Sequence, residues 1–382
     1  MSASPQLSEK PESSAHRKIK VMVVDDAVVI RGLISRWLSE DPAIEVVSTQ
    51  RTGAGAVNDL VHSDPDVVVL DIEMPEMDGL TALPKLLQLK RNLVVIMAST
   101  LTQRNAEASM KALSLGAKDY VPKPEGNHGV TTSTEFRRDL IEKVKALGGT
   151  ALRRASAAAA RATRAAVDAH APHAPHAAKQ YALRSFSKVS PRILAIGSST
   201  GGPQALNSLL NGLGNTISRV PVVITQHMPA TFTATLATHL AKASGMPAAE
   251  GQNGETLQAG HIYVAPGGHH MVLEGSSMAP KIKLTTDPPV NFCRPAVDPL
   301  FETVSKLYGS AVLSLVLTGM GSDGAVGARV IADAGGSVIA QDEATSVVWG
   351  MPGATANIGA CAAILPLNEI TAKVKSILGA SR

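Results

Sequence analysis

Short apolar runs recur along this chain, each followed by a stretch with helical spacing. In the first third they are Ile19–Asp26, Ile44–Gln50, Val67–Asp71, Leu93–Ser99 and Tyr120–Pro122. Runs that are continuously apolar rather than alternating predict parallel strands buried on both faces. A helix is predicted over Thr134–Leu147, after the last of them. Together these βα units predict a doubly wound parallel sheet. The alternation resumes near Pro191, with strands expected at Ile193–Gly197, Pro221–Gln226, His261–Ala265, Val312–Leu317 and Val338–Gln341. The fold class read from the pattern is therefore α/β, with two doubly wound parallel-sheet domains.

Between them the pattern is lost. Residues 151–190 carry seven Lys/Arg and one acid, Asp168, together with an Ala run and a His/Pro/Ala tract. Such a composition cannot bury a core and reads as a linker. The expected organisation is a polar tail at 1–17, one domain at 18–145, a linker at 146–190 and a second domain at 191–382. The basic linker is expected to be a solvated spacer, so no nucleic-acid partner is expected. Its histidines lack fixed geometry for a metal.

The length of 382 residues agrees with two domains, and the 45% of apolar residues suffices for two cores. No apolar run reaches the roughly 18 residues of a spanning helix, and the first 20 residues lack the apolar centre of a signal peptide. A soluble, cytoplasmic protein with no membrane insertion is expected. Cys293 and Cys361 give neither a disulfide framework nor metal-ligand spacing and read as reduced packing residues, with reactivity at Cys293 the alternative.

In the first domain, acidic residues end two strands: Asp25 and Asp26 the first, Asp71 the third. Strand ends on one sheet edge are neighbours, so three carboxylates converge. Clustered like charge favours a hard cation, and Mg²⁺ suits oxygen donors. Ser99 ends the fourth strand and Lys123 follows the fifth. Carboxylates, a hydroxyl and an ammonium around Mg²⁺ make a phosphoryl-handling site; helix caps and surface charges are the bland alternative.

The set Asp25-Asp26, Asp71 through Gly79, Ser99-Thr100 and Lys123-Pro124 resembles a response-regulator receiver domain, a flavodoxin-like fold. The resemblance implies that Asp71 accepts a phosphoryl group from a sensor histidine kinase. It implies that Asp25, Asp26, Asp71 and the backbone carbonyl of Glu73 hold Mg²⁺, and that Ser99 and Lys123 sense the phosphate. Tyr120 would be the aromatic that changes rotamer on activation, and the Lys123–Pro124 bond would be cis. Pro84 departs from helical expectation in the segment after Gly79, where a mid-helix proline kinks or breaks a helix.

In the second domain, Gly197-Ser-Ser-Thr-Gly201 is a G-x-S-x-G turn after an apolar strand, which raises Ser199 at the carboxyl edge of a sheet. A helix cap gives the same letters, and a dinucleotide loop fits poorly because Ser199 stands at the second glycine. His227 ends the next strand-like segment and would serve as base. Asp323, in the loop after Val312–Leu317, would orient it. The order Ser, His, Asp differs from the Ser, Asp, His of α/β-hydrolases. Arg294 and Asp298 read as a structural ion pair, with contact to substrate the alternative.

The segments Ile196–Gly202, Thr225–Pro229, Val264–Gly267, Leu317–Gly324 and Ser346–Pro352 resemble the catalytic domain of the chemotaxis protein-glutamate methylesterases, the CheB family, in which a receiver precedes the esterase. The resemblance implies hydrolysis of glutamyl methyl esters on methylated chemoreceptors, with release of methanol, and deamidation of particular receptor glutamines. It implies Ser199 as nucleophile, His227 as general base and acid, and Asp323 as its orienting carboxylate. Backbone N–H groups of Thr200 and near Met320 would stabilise the oxyanion, and the esterase would need no cofactor. A response regulator with a non-catalytic or nucleic-acid-binding output is the alternative.

Overall fold

The structure is a computed structural model that describes residues 17–123, 134–167 (backbone alone beyond 156) and 181–379. The first sheet contains β1 (Ile19–Val24), β2 (Ile44–Gln50), β3 (Val67–Asp71), β4 (Val94–Thr100) and β5 (Asp119–Lys123), all parallel, in the order β2-β1-β3-β4-β5. Helices α1 (Val28–Ser39), α2 (Gly53–Ser63), α3 (Gly79–Leu89) and α4 (Gln103–Ser114) connect them. This order places the topological switch between β1 and β3, where open α/β sheets bind ligands beyond the strand ends. The five predicted strands are present; Asp25 and Asp26 lie just past β1 rather than within it. Helix α3 runs through Pro84 without interruption, its N-terminus capped by Asp78 accepting from Thr81 N.

Helix α5 (Thr134–Val167) extends well beyond the predicted Leu147, into the stretch read as linker. The pair Gly148-Gly149 resembles a stop signal, but Gly148 serves packing: a Cβ there would lie 2.5 Å from Ile19 Cγ2. Beyond it Ala151 and Leu152 still pack against the receiver core, and the Ala- and Arg-rich sequence that continues has high helix propensity. Residues 181–190 pack on the second domain. Arg184 N donates to Cys361 O at 2.9 Å, and the Tyr181 and Trp349 rings meet edge-to-face. The tail to residue 16, the His/Pro/Ala tract and the Lys123–Pro124 bond lie outside the described residues.

The second sheet is parallel, seven-stranded and ordered β14-β13-β12-β6-β7-β9-β8. Its strands are β6 (Ile193–Ser198), β7 (Val222–Gln226), β8 (Ala248–Glu250), β9 (Ile262–Val264), β12 (Val312–Val316), β13 (Ser337–Gln341) and β14 (Ala363–Leu365). An antiparallel hairpin, β10 (His270–Ser276) with β11 (Ala279–Thr285), stands apart. The hairpin, β8 and β14 were not among the predicted strands. Helices α6 (Gly202–Leu213), α7 (Ala230–Ser244), α8 (Val297–Tyr308), α9 (Ala325–Asp333), α10 (Met351–Asn357) and α11 (Leu367–Gly379) cover the faces.

The domains touch. Tyr120 of β5 stacks on Phe232 of α7, with centroids 4.5 Å apart and planes 5° from parallel. Gln204 of α6 donates to Ala117 O at 2.6 Å and Leu113 O at 3.1 Å, and Arg154 of α5 donates to Ser346 O at 2.8 Å.

Candidate active site and phosphoryl site

The first site forms at one sheet edge, where β1 and β3 end side by side and β5 ends one strand further on, beyond β4. Asp25, Asp26 and Asp71 each offer a carboxylate oxygen, all within 4.8 Å of one another. Lys123 Nζ lies 2.7 Å from Asp71 Oδ1 and 3.2 Å from Asp25 Oδ2. Burial pushes the Asp71 pKa up and Asp25 adds to this; Lys123 opposes, and the balance is about 6. Burial lowers the Lys123 value, but the two carboxylates outweigh it and hold the ammonium charged. Glu73 lines a cleft of about 610 Å³ with Asp26, Asp78, Arg104 and Asn105. Three hard oxygen donors this close, opening onto a cleft, suit Mg²⁺. Ser99 is buried at the end of β4, its Oγ 3.3 Å from Thr100 O. Tyr120 is buried against the second domain, as described above.

The second site forms at three adjacent strand ends. Ser199 follows β6, the middle strand; His227 follows β7 on one side; Asp323 lies in the loop after β12 on the other. The serine turn is tightly fixed. Ser199 N donates to Thr318 O at 3.0 Å, and Gln226 Nε2 donates to Ser199 O at 2.9 Å. Gly201 has φ 75°, a left-handed conformation that glycine takes at little cost. Thr318 Oγ1 donates to Thr200 O at 2.9 Å and accepts from Val348 N at 3.0 Å, tying three loops together. A Cβ on Gly319 would lie 2.8 Å from Ser199 Cβ, so its bare backbone brings the Met320 loop against the serine. Thr200 follows Ser199 directly, and Met320 follows the Gly319 that approaches it.

Asp323 is held by five donors. His227 Nε2 lies 2.7 Å from Oδ2, and Val297 N donates to that oxygen at 2.6 Å. Asp298 N at 3.1 Å, Gly324 N at 3.0 Å and Asn291 Nδ2 at 3.4 Å donate to Oδ1. Val297 and Asp298 begin α8, so the carboxylate sits at the positive end of a helix. Burial pushes the Asp323 pKa up, but His227 and these amides outweigh it and hold it below the ordinary value. For His227, burial disfavours the charged ring; the hydrogen bonds of Asp323 and Cys293 prevail and raise its pKa to about 10. An ionised carboxylate only accepts, so in the neutral ring, the form that acts as base, Nε2 carries the hydrogen and Nδ1 is the nitrogen left for a serine. Nδ1 lies 3.3 Å from Cys293 Sγ, and among the described residues no hydrogen bond joins Ser199 Oγ to His227.

The expected Arg294–Asp298 ion pair is not formed. Arg294 donates to Thr286 O and Asp287 O, while Asp298 is buried and accepts from Gly327 N at 2.7 Å. The two residues lie only four apart, but Asp298 opens α8 and its side chain turns inward to the α9 start. Sequence reasoning gave no role to Gln226, Thr318 or the α8 N-terminus. Gln226 and Thr318 lay inside quoted motifs, and the Pro295 that precedes α8 was the available start signal.

A family described as CheB methylesterase matches residues 194–374, and the response regulator receiver domain matches residues 21–134. A Rhodopseudomonas palustris protein-glutamate methylesterase/protein-glutamine glutaminase is 54% identical over 372 residues, 97% of each chain. A protein of that name from Bradyrhizobium diazoefficiens, of the group 2 operon, is 55% identical over 378 residues, 95% of each chain. The crystal structure of the Thermotoga maritima CheB methylesterase catalytic domain, 36% identical, covers 50% of this chain and 100% of its own, with a TM-score of 0.47. These relatives do not favour a nucleic-acid-binding or non-catalytic output. No helix among the described residues is long and apolar enough to cross a membrane. The chain belongs to the protein-glutamate methylesterase/protein-glutamine glutaminase family, with a receiver domain ahead of a CheB methylesterase domain.

Proposed function

We propose that this chain hydrolyses methyl esters of glutamate side chains on methylated chemoreceptors, under the control of phosphorylation at Asp71. On this reading the receiver spans 18–145 and the esterase 191–382, the latter joined by residues 181–190 that pack on it. The observation that carries the reading is the His227–Asp323 pair at the strand ends flanking the Ser199 turn, with Asp323 buried and held by helix amides.

Ser199 Oγ attacks the ester carbonyl while His227 Nδ1 takes its proton. Charge developing on the carbonyl oxygen is met by the Thr200 and Met320 amides, each such donor worth about 3–4 kcal/mol of barrier. His227 then gives the proton to the departing methoxide, which leaves as methanol, and a glutamyl ester on Ser199 remains. Water, deprotonated by His227, cleaves it and restores the serine. These steps use only groups of this chain and water. With ammonia leaving in place of methanol, the same steps deamidate a glutamine, the second activity in the relatives' names.

In the receiver, Asp25, Asp26, Asp71 and the Glu73 carbonyl would hold Mg²⁺, which when bound neutralises charge on the transferring phosphoryl group. The phosphoryl source is a sensor histidine kinase of the chemotaxis type, which places the protein in the cytoplasm. Once Asp71 carries phosphate, Ser99 and Lys123 pair with its oxygens.

The test is methanol release from methylated receptor membranes, with and without acetyl phosphate. Ser199→Ala is expected to fall to background in both conditions. Release at the parent rate would end this reading.

A further inference from the structure

One turn touches both members of the His227–Asp323 pair. Val290 and Cys293 exchange backbone hydrogen bonds of 3.1 and 2.9 Å, and Asn291 and Phe292 close the turn with φ of 51° and 62°. Asn291 reaches Asp323, and Cys293 Sγ lies 3.3 Å from His227 Nδ1. Between them Phe292 projects outward, 79% exposed, with its ring 4.4 Å from the guanidinium carbon of Arg138. Arg138 belongs to α5, which packs on the receiver sheet. The nitrogen that Ser199 needs is therefore occupied by a thiol, in a turn that the first domain touches from outside.

We infer that Cys293 is a positioning residue that keeps the His227 ring engaged away from Ser199 in the resting chain, and that Arg138 steadies the turn across the domain boundary. This rests on the reading of Ser199, His227 and Asp323 given above. Turnover requires Nδ1 to leave the thiol for the serine hydroxyl. A receiver movement that withdraws Arg138 loosens Phe292 and favours that exchange, so the device acts on the base itself.

The experiment uses the full chain and initial rates of methanol release from methylated receptor membranes, with and without acetyl phosphate. Cys293→Ala is expected to raise kcat of the unphosphorylated enzyme about two- to tenfold, the worth of one modest hydrogen bond. KM should stay within about twofold, and the phosphorylated rate should change less, so the activation ratio contracts. Arg138→Ala should shift the ratio in the same direction, and the double variant should match Cys293→Ala alone, because both act through one contact. A Cys293→Ala enzyme with the parental ratio, or with both rates lowered by a common factor, overturns the inference. So does an additive double variant. If thermal melting shows that Cys293→Ala has not folded, Arg138→Ala decides, and an unchanged ratio there is fatal. Ser199→Ala in the same assay separates the two readings: its activity would remove the serine mechanism, whereas its silence beside an unaltered Cys293→Ala removes only the role of the thiol.

Discussion

At Asp323 the cost of burying a carboxylate is met by five hydrogen bonds, two of them from the first amides of α8. Its charge in turn fixes which nitrogen of His227 bears the hydrogen and favours the charged ring. Asp323→Asn should lower turnover by about 10⁴-fold, as in other triads where the wrong tautomer results. The pH profile should move as well. The base form is the neutral ring, so kcat/KM rises with pH through the ring pKa, which Asp323 and Cys293 hold above its ordinary value against burial. Removing the carboxylate removes an interaction that favours the charged ring; burial then counts for more, the pKa falls, and the limb shifts to lower pH. A loss below tenfold, or a limb that stays in place, would contradict the orienting role. Asp323 was legible in the sequence because it lies in a glycine loop after an apolar strand. Its helix-terminal setting was not, because α8 is 25 residues away along the chain and meets Asp323 only through the tertiary fold. The same holds for Cys293: it read as a packing residue, and only the turn at Asn291 and Phe292 brings its sulfur to His227.

Parallel strands announced themselves at the scale of elements because they are buried on both faces, and such runs are continuous. The strand ends then fixed which functional residues could meet, so the β1–β3–β5 and β12–β6–β7 edges were readable in advance. The β10–β11 hairpin was missed because neither strand is buried throughout: β10 becomes exposed from Glu274 onward, and β11 alternates over its first four residues. The reach of α5 was missed because the helix was expected to end at Leu147, whereas the Gly148 that follows admits it to β1. Close approach has a second instance at Gly319. A methyl group there would meet Ser199 Cβ at 2.8 Å and overlap Met351 Sδ. The methionine end can move aside, but the serine Cβ lies in a turn fixed by Gln226 and Thr318. Gly319→Ala should therefore displace the nucleophile, and a misplacement of about 1 Å costs about 10²-fold. Esterase activity should fall by that order while phosphoryl uptake from acetyl phosphate is preserved. Parental turnover would show that the loop yields instead.

Across the whole molecule, two apolar clusters run through both domains, one joined where Tyr120 stacks on Phe232 and one where Val348, with Val347 and Met320, packs against the receiver core, while a third cluster belongs to the esterase domain alone. The receiver therefore covers α6 and α7, and α7 is the helix that begins three residues after His227. Tyr120, the residue expected to change rotamer on activation, lies in this contact, so a phosphorylation signal has a direct mechanical route to the esterase. A change from 1:99 to 99:1 in open form would need about 5.5 kcal/mol of differential stabilisation, and a smaller shift suffices for control. Removing the receiver should abolish the restraint outright. The fragment should begin at residue 181, because Tyr181, Arg184 and Ser187 pack on the second domain through Trp349, Cys361, Asp333 and Ser337. Fragment 181–382 is expected to demethylate receptor membranes faster than the unphosphorylated full chain and to ignore acetyl phosphate. If it is no faster than the resting enzyme, the receiver is not acting as a cover, and its influence on the esterase must be a gain made on phosphorylation.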